Sequence, residues 1–476
     1  MRRGAFRSAC ALALVASALG CAWLRPKPAW EAPPPPIAEG PVVPADRLHR
    51  ATLDNGVAVL VLEDHALPRL DIGVVTRRGA GVESLEQAGI SDLTLDVMKR
   101  GAGDRDALAL ARAIDEMGAS LSASTSWDTA SVGIGGLSED ADALFAILAD
   151  VVRRPRFDPG EVARARSETL ASLEREKSDP HTLAARAFAR TLYAGHRYGI
   201  ASEGSPQTVA KLDAAALREW HARLFNPAQS IVYVVGDIRT EDALARVRAQ
   251  FGDWPAHEGL GTGTAPPAAA PNARRIVVID RPDQQQATLI IGHEGIARRD
   301  PTRIAADVMN DVLGGGGFLS RLMTRVRAEN GLAYGVGSGF SMRWHPGPFS
   351  VSTSTRVAEA GRVVELVLGE LEGMRTHPPT EAELRTAKSY SAGSFVLALE
   401  TSSAIAASLV DIDAHDLPPD SLDTYRTRLA AVTDDDAAAA ATRLLHPDRA
   451  AIVAVGPAAE LRPQLERFGQ VEIATP

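Results

Sequence analysis

Residues 223–236 read RLFNPAQSIVYVVG, and residues 443–456 read RLLHPDRAAIVAVG. The two segments align without a gap on Arg, Leu, Pro, Val and Gly. Asp96-Val97-Met98 is matched in the same way by Asp307-Val308-Met309. A repeat spaced by roughly 210–220 residues is a duplicated domain and not a solenoid of short units. The chain must therefore fold as two halves of one topology. Between them runs AHEGLGTGTAPPAAAPN, rich in Gly, Pro, Ala and Thr and without apolar period, which reads as a linker. These features divide the chain into a targeting segment 1–21, a proline-rich tether 22–46, a first domain 47–255, a linker 256–273 and a second domain 274–476.

Each half mixes strands and helices in α+β order. Residues 49–63 predict two strands around Asn55-Gly56, a strong hairpin signal. Further strands are expected at 70–76, 119–136 and 231–235, with helices at 90–100, 105–117, 140–152, 159–177, 214–224 and 240–251. After the linker the pattern restarts: strands at 275–279, 287–292, 349–355 and 451–455, and helices at 303–313, 358–376, 380–399, 403–414, 422–429 and 434–445. Two such halves suggest a clam-like pair with a cleft or chamber between them.

The ends and the charge set limits on function. Arg2, Arg3 and Arg7 precede an apolar run at 9–19 that is too short to span a bilayer. The run ends Ala18-Leu19-Gly20-Cys21, which resembles a bacterial lipoprotein cleavage site, although Ala18 stands where leucine is usual. A lipid anchor on Cys21 is the leading expectation, with simple secretion and an uncleaved anchor as alternatives. The location implied is the cell envelope on the periplasmic side, and Ala22 points weakly to the outer membrane. The chain has only two cysteines, Cys10 and Cys21, so the folded part has no disulfide, thiolate metal site or cysteine nucleophile. A net charge of −9 argues against a nucleic-acid surface.

Residues 313–336, LGGGGFLSRLMTRVRAENGLAYGV, hold the most informative local pattern. Gly314, Gly315, Gly316 and Gly317 open it. They suit either a loop that contacts substrate or a turn needing positive φ; no Gly-Lys-Ser/Thr follows, which disfavours a phosphate loop. A short amphipathic helix is expected next, with Leu319, Leu322, Met323 and Val326 on its apolar stripe and Gly331 as a left-handed cap. Arg321 and Arg325 fall on the outer face. Arg327 lies beside the stripe, seven residues before Tyr334. On spacing alone, Arg327 pairs with Glu329 or Glu294, and Tyr334 is core.

LDNGVAVLVLEDHALP at 53–68, NPAQSIVYVVGDI at 226–238 and the 313–336 stretch together resemble the insulinase/pitrilysin family of zinc peptidases, which includes the mitochondrial processing peptidase. The resemblance covers both halves and implies two α+β domains enclosing a substrate chamber. It also implies a zinc helix reading His-x-x-Glu-His in the first half. Here the first histidine position holds Asp92, the glutamate position Leu95 and the second histidine position Asp96. A later glutamate ligand falls on Ala171 or Ser172. Leucine cannot polarise water, and zinc loses both nitrogen ligands. Asp92 and Asp96, a like-charge pair one helical turn apart, could hold a hard cation; the stronger, bland reading is that both face solvent or the chamber and that Asp96 pairs with Arg100. His293-Glu294 and Asp411 to His415 are the other suggestive clusters, and each reads better as solvated or capping than as a metal site.

In active relatives an Arg and a Tyr from the second half hold a substrate carbonyl. Arg327 and Tyr334 match those positions. The resemblance therefore implies a non-zinc subunit that holds no cofactor itself. It would pair with a zinc-bearing homologue, bind extended peptides by adding a strand to a sheet edge, and lend Arg327 and Tyr334 to the partner's site. A catalytically inactive structural or peptide-binding pseudo-peptidase is the alternative.

Overall fold

The computed structural model describes residues 41–256, 258–261 and 273–475. The targeting segment with Cys21, most of the tether and most of the linker lie outside them. The first half builds a six-stranded sheet from β1 (Leu48–Thr52), β2 (Ala58–Glu63), β3 (Arg69–Thr76), β4 (Ser120–Thr125), β5 (Ala130–Leu137) and β6 (Ser230–Gly236), in the order β1-β2-β6-β3-β5-β4. The second half builds another from β7 (Arg275–Asp280), β8 (Gln286–Glu294), β9 (Val336–Phe340), β10 (Pro348–Arg356), β11 (Ala451–Gly456) and β12 (Val471–Ala474), in the order β9-β10-β8-β11-β7-β12. Read from opposite ends, five strands of each sheet follow one topology; the sixth differs, since β1 is antiparallel to β2 whereas β12 is parallel to β7. β2 runs parallel to β6 as β7 does to β11, and both pairs continue into an antiparallel strand. The duplicated α+β fold read from the sequence is the one observed.

The central strands are apolar on both faces, so both faces of each sheet need a cover. In β2, Val59 and Val61 join the core of the first half, which includes Leu93, Leu95 and Val97 of helix α1 (Ile90–Met98). Further on come helices α2 (Pro159–Arg175), α3 (Pro180–Leu192), α4 (Arg303–Asn310), α5 (Glu381–Leu397) and α6 (Ser402–Ala414). Leu60 and Leu62 point the other way and pack on Ala406, Leu409 and Ile412 of α6, which belongs to the second half. The second sheet is covered reciprocally: Val277, Ile279, Val453 and Val455 pack on Leu183, Ala187 and Phe188 of α3, from the first half. Each half thus lends a helix to the other's sheet. Burial of each such large side chain stabilises by about 1.5–3 kcal/mol. Asp179 caps α3 by accepting from the amides of His181 and Thr182, with Pro180 at its first position.

Polar contacts add to the exchange. Ser403 donates to Asp71 at 2.7 Å, and Arg50 pairs with Asp413. The chain 41–475 is accordingly one compact unit. Several clefts lie between the halves, and two of them flank the elements described below. One, of about 460 Å³, lies between the outer face of the first sheet and α6. The other, of about 530 Å³, lies where the β4–β5 and β9–β10 loops meet. The tether ends sooner than its composition indicates, because Val43 is buried against Leu60, Leu62 and Leu409.

Candidate functional site

Helix α1 is built as a zinc helix would be but holds other chemistry. Gly89 enters it with φ 95°. Glu83 accepts from the amides of Gly89 and Ser91, both at 2.9 Å, and pairs with Arg197 at 2.6 Å; both side chains are fully buried. Leu95 is only 1% exposed and belongs to the hydrophobic core. Asp92 does not face open solvent: burial, together with the nearby charges of Glu203 and Asp96, pushes its carboxyl up to about 6. Asp96 does pair with Arg100, at 2.7 Å, and Arg100 reaches on to Glu168 of α2, also at 2.7 Å. The gap between the two helices is bridged by this guanidinium. Zinc does not fit these residues: no nitrogen ligand is offered, and Asp96 is already neutralised. Among the described residues no three His, Cys, Asp or Glu side chains converge as a metal site.

The other two clusters are structural. His293 is buried, with Nδ1 at 2.8 Å from the carbonyl of Glu294 and Nε2 accepting from the His446 amide at 3.1 Å. His415 is also buried; it caps the C-terminus of α6 and bridges Asp128 and Asp411 at 3.2 and 3.0 Å, so of its two readings capping holds and solvation does not.

The second half presents an exposed constellation. Helix α4 runs into a π-helical turn, Asp311–Gly315. Gly314 is buried there; a Cβ would stand 2.5 Å from Ser338 Oγ and 2.9 Å from its amide nitrogen. Its role is close backbone approach, which corrects the substrate-contact reading for that glycine. Gly315 and Gly316 close the turn, and Gly317, at φ 70°, reverses the chain outwards. Leu319 was placed on a helical stripe, but it is 77% exposed. Ser320 has extended ψ and separates it from the helix. Leu322, Met323 and Val326 do bury their side chains, the last two in a second π-helical segment, Met323–Glu329. Such segments often occur at functional sites.

Arg327 stands on that segment. Its guanidinium lies 4.8 Å from the ring centre of Phe318 and 5.0 Å from that of Tyr334. Both rings are exposed, Tyr334 by 88%. The pairing and core readings fail: Glu329 binds Arg325 at 2.8 Å, and Tyr334 is not core. Among the described residues Arg327 has no carboxylate partner. Phe318 was not foreseen, since a phenylalanine after glycines carries no signal of exposure. Arg321 is not a free surface charge, because it forks onto Glu383 at 2.7 and 2.9 Å and reaches the carbonyls of His377 and Pro378. Of the two edge strands next to these sites, β9 is met at Ser338, whose carbonyl accepts from Asn310. On the first sheet, β4 ends the sheet on the side of α1.

Two family models match the chain. One is the insulinase model, peptidase family M16, over residues 58–204; the other is the peptidase M16 inactive domain, over residues 211–390. Together they span more than half of it. The chain belongs to peptidase family M16. An uncharacterized zinc protease of Streptomyces coelicolor is 27% identical over 86% of this chain and 90% of its own. A non-peptidase homolog, YmxG of Helicobacter pylori, is 26% identical over 74% of this chain and 81% of its own. A crystal structure of a peptidase M16 inactive domain from Pseudomonas fluorescens is 29% identical, superposes with TM-score 0.81 and covers 86% of this chain and 98% of that one. A protease structure from Helicobacter pylori, at 18% identity and TM-score 0.80, shares the fold. The positions of the zinc motif hold Asp92, Leu95 and Asp96, which offer no nitrogen ligand.

Proposed function

We propose that the protein is the non-zinc subunit of a heteromeric M16 peptidase and lends Arg327 and Tyr334 to the active site of a zinc-bearing homologue. The observation that carries this reading is Arg327 held beside the exposed rings of Phe318 and Tyr334, its cation without a carboxylate partner among the described residues. A guanidinium held within about 5 Å of two ring centres is pre-positioned, and a phenol beside it is a second donor. Once a partner excludes water, both can bind a peptide carbonyl and the negative charge that develops on its oxygen. Gly317 and Phe318 at the adjoining turn would contact the same peptide. The zinc and the activated water would come from the partner, since α1 offers neither. Peptides would bind extended, and the edge strand β4 supports strand addition. Anchoring through a lipid on Cys21, on the periplasmic side of the envelope, completes the reading and rests on the sequence of residues 2–21.

Reconstitution tests it. This chain is mixed with a zinc-bearing M16 homologue from the same genome, and cleavage of quenched peptides is followed. The pair is expected to cleave and this chain alone to be inert. Arg327→Ala with Tyr334→Phe should remove the pair's activity without weakening its assembly. Unchanged cleavage by the doubly substituted pair would exclude the trans-site role. It would favour the second reading, a structural or peptide-binding pseudo-peptidase, which the non-peptidase relative supports. Palmitate labelling of wild type against Cys21→Ser decides the anchor.

A further inference from the structure

Where the loops of the two halves meet, the cleft of about 530 Å³ is lined by Asp128, Arg298, Asp307, Arg343, Asp411 and His415. Three are cationic when His415 is protonated, and three are acidic. Four of them satisfy one another. His415 donates to Asp128 at 3.2 Å and to Asp411 at 3.0 Å, and Arg298 donates to Asp411 at 2.5 Å. Burial opposes the charge on His415, but the two carboxylates outweigh it and hold the imidazole up to about 9. Arg343 and Asp307 remain.

The Arg343 guanidinium is clamped 4.1 Å from the ring centre of Trp127 and 4.4 Å from that of Tyr198. Its Nε and Nη1 are buried without a hydrogen-bond partner, and among the described residues it forms no ion pair. Asp307, on α4, also accepts no hydrogen bond and forms no ion pair among the described residues; Arg303 and Arg298 act on it only through space. Desolvated charges left unpaired are costly, and a fold normally pairs them or removes them. Here one of each sign opens into the same cleft, with Phe340 and Met342 as its apolar wall. The volume lies within the range of small-molecule sites.

We propose that this cleft binds a short peptide with both termini free, its carboxylate on Arg343 and its ammonium on Asp307. The Nη2 end of the guanidinium, the part not buried, suits a carboxylate oxygen, and the aromatic clamp holds it in place before the ligand arrives. Phe340 and Met342 would receive an apolar side chain. The site is distinct from the Arg327–Tyr334 surface, which contributes nothing to the cleft, and it requires no partner subunit.

The test is calorimetric titration of the purified protein with three ligands: alanyl-leucine, its N-acetyl form and its C-terminal amide. The free dipeptide should bind, and each blocked form should bind at least roughly tenfold more weakly. Asp307→Asn should abolish the penalty for acetylation, and Arg343→Met, which keeps a long side chain between the rings, the penalty for amidation. No binding of the free dipeptide at ~10 mM, or equal binding of all three ligands, overturns the proposal. The wild-type comparison decides even if a variant fails to fold.

Discussion

The Arg327 guanidinium and the Tyr334 ring are 5.0 Å apart, although the chain between them leaves a helical segment and reverses. Gly331 makes this possible. At φ 63° its amide closes onto the Arg327 carbonyl at 2.9 Å, and the Leu332 amide returns to Val326 at 3.0 Å. The chain therefore doubles back over its own last turn. It delivers the exposed Tyr334 beside the half-buried Arg327.

An exposed cation–π contact contributes about 0.5–1 kcal/mol. Arg327→Ala and Tyr334→Phe should accordingly change the free energy of unfolding by no more than about 1 kcal/mol, measured by urea denaturation. A much larger loss would mean that the pair serves packing and not binding.

Glu383 behaves differently. The fork of Arg321, with some opposition from burial and further help from Thr380, holds its carboxyl down to about 2, against an ordinary 4.5. A depressed folded-state pKa stabilises above the unfolded value and is lost as pH falls through the folded one. Glu383→Gln should therefore be less stable than wild type at pH 7, and the deficit should shrink between pH 4.5 and 2. Urea titrations at several pH values measure it; a deficit independent of pH would show that the ion pair is not its source.

His415 runs with the opposite sign. Its folded pKa is raised from 6.5 to about 9. The stability it contributes is complete below pH 6.5 and disappears as pH rises through about 9. His415→Gln should show a deficit at pH 6 that is smaller at pH 9.5, roughly half a unit past the transition. Imidazole proton shifts in NMR titration should place the midpoint of His415 well above that of an exposed histidine; a midpoint near 6.5 would refute the bridge.

The exchange of helices makes the halves interdependent. Phe188 lies on α3 in the first half and packs on Ile279 and Val453 in the second. Phe188→Ala should cost about 3–5 kcal/mol. Both halves should still unfold in one transition, followed by far-UV circular dichroism and tryptophan fluorescence. Two separated transitions would show that α3 and α6 do not couple them.

The sequence by itself determined that the chain is a duplication, that each half is α+β, and that the zinc positions hold Asp92, Leu95 and Asp96. Those facts are local or periodic: a repeated strand, a hairpin at Asn55-Gly56, a leucine where a carboxylate is required. It also placed the Gly331 cap, because a left-handed residue leaves a local signature. It did not show the exchange of α3 and α6, since the apolar face of a helix does not name the sheet it covers. Nor did it show that Tyr334 is exposed, that Leu319 leaves its stripe or that Arg321 is tied to Glu383. Each depends on what long-range packing brings within a few ångströms. Arg343 and Asp307 are the extreme case: they are ordinary charges in the sequence, and only the meeting of the two halves leaves both in one cleft with no ion-pair partner among the described residues.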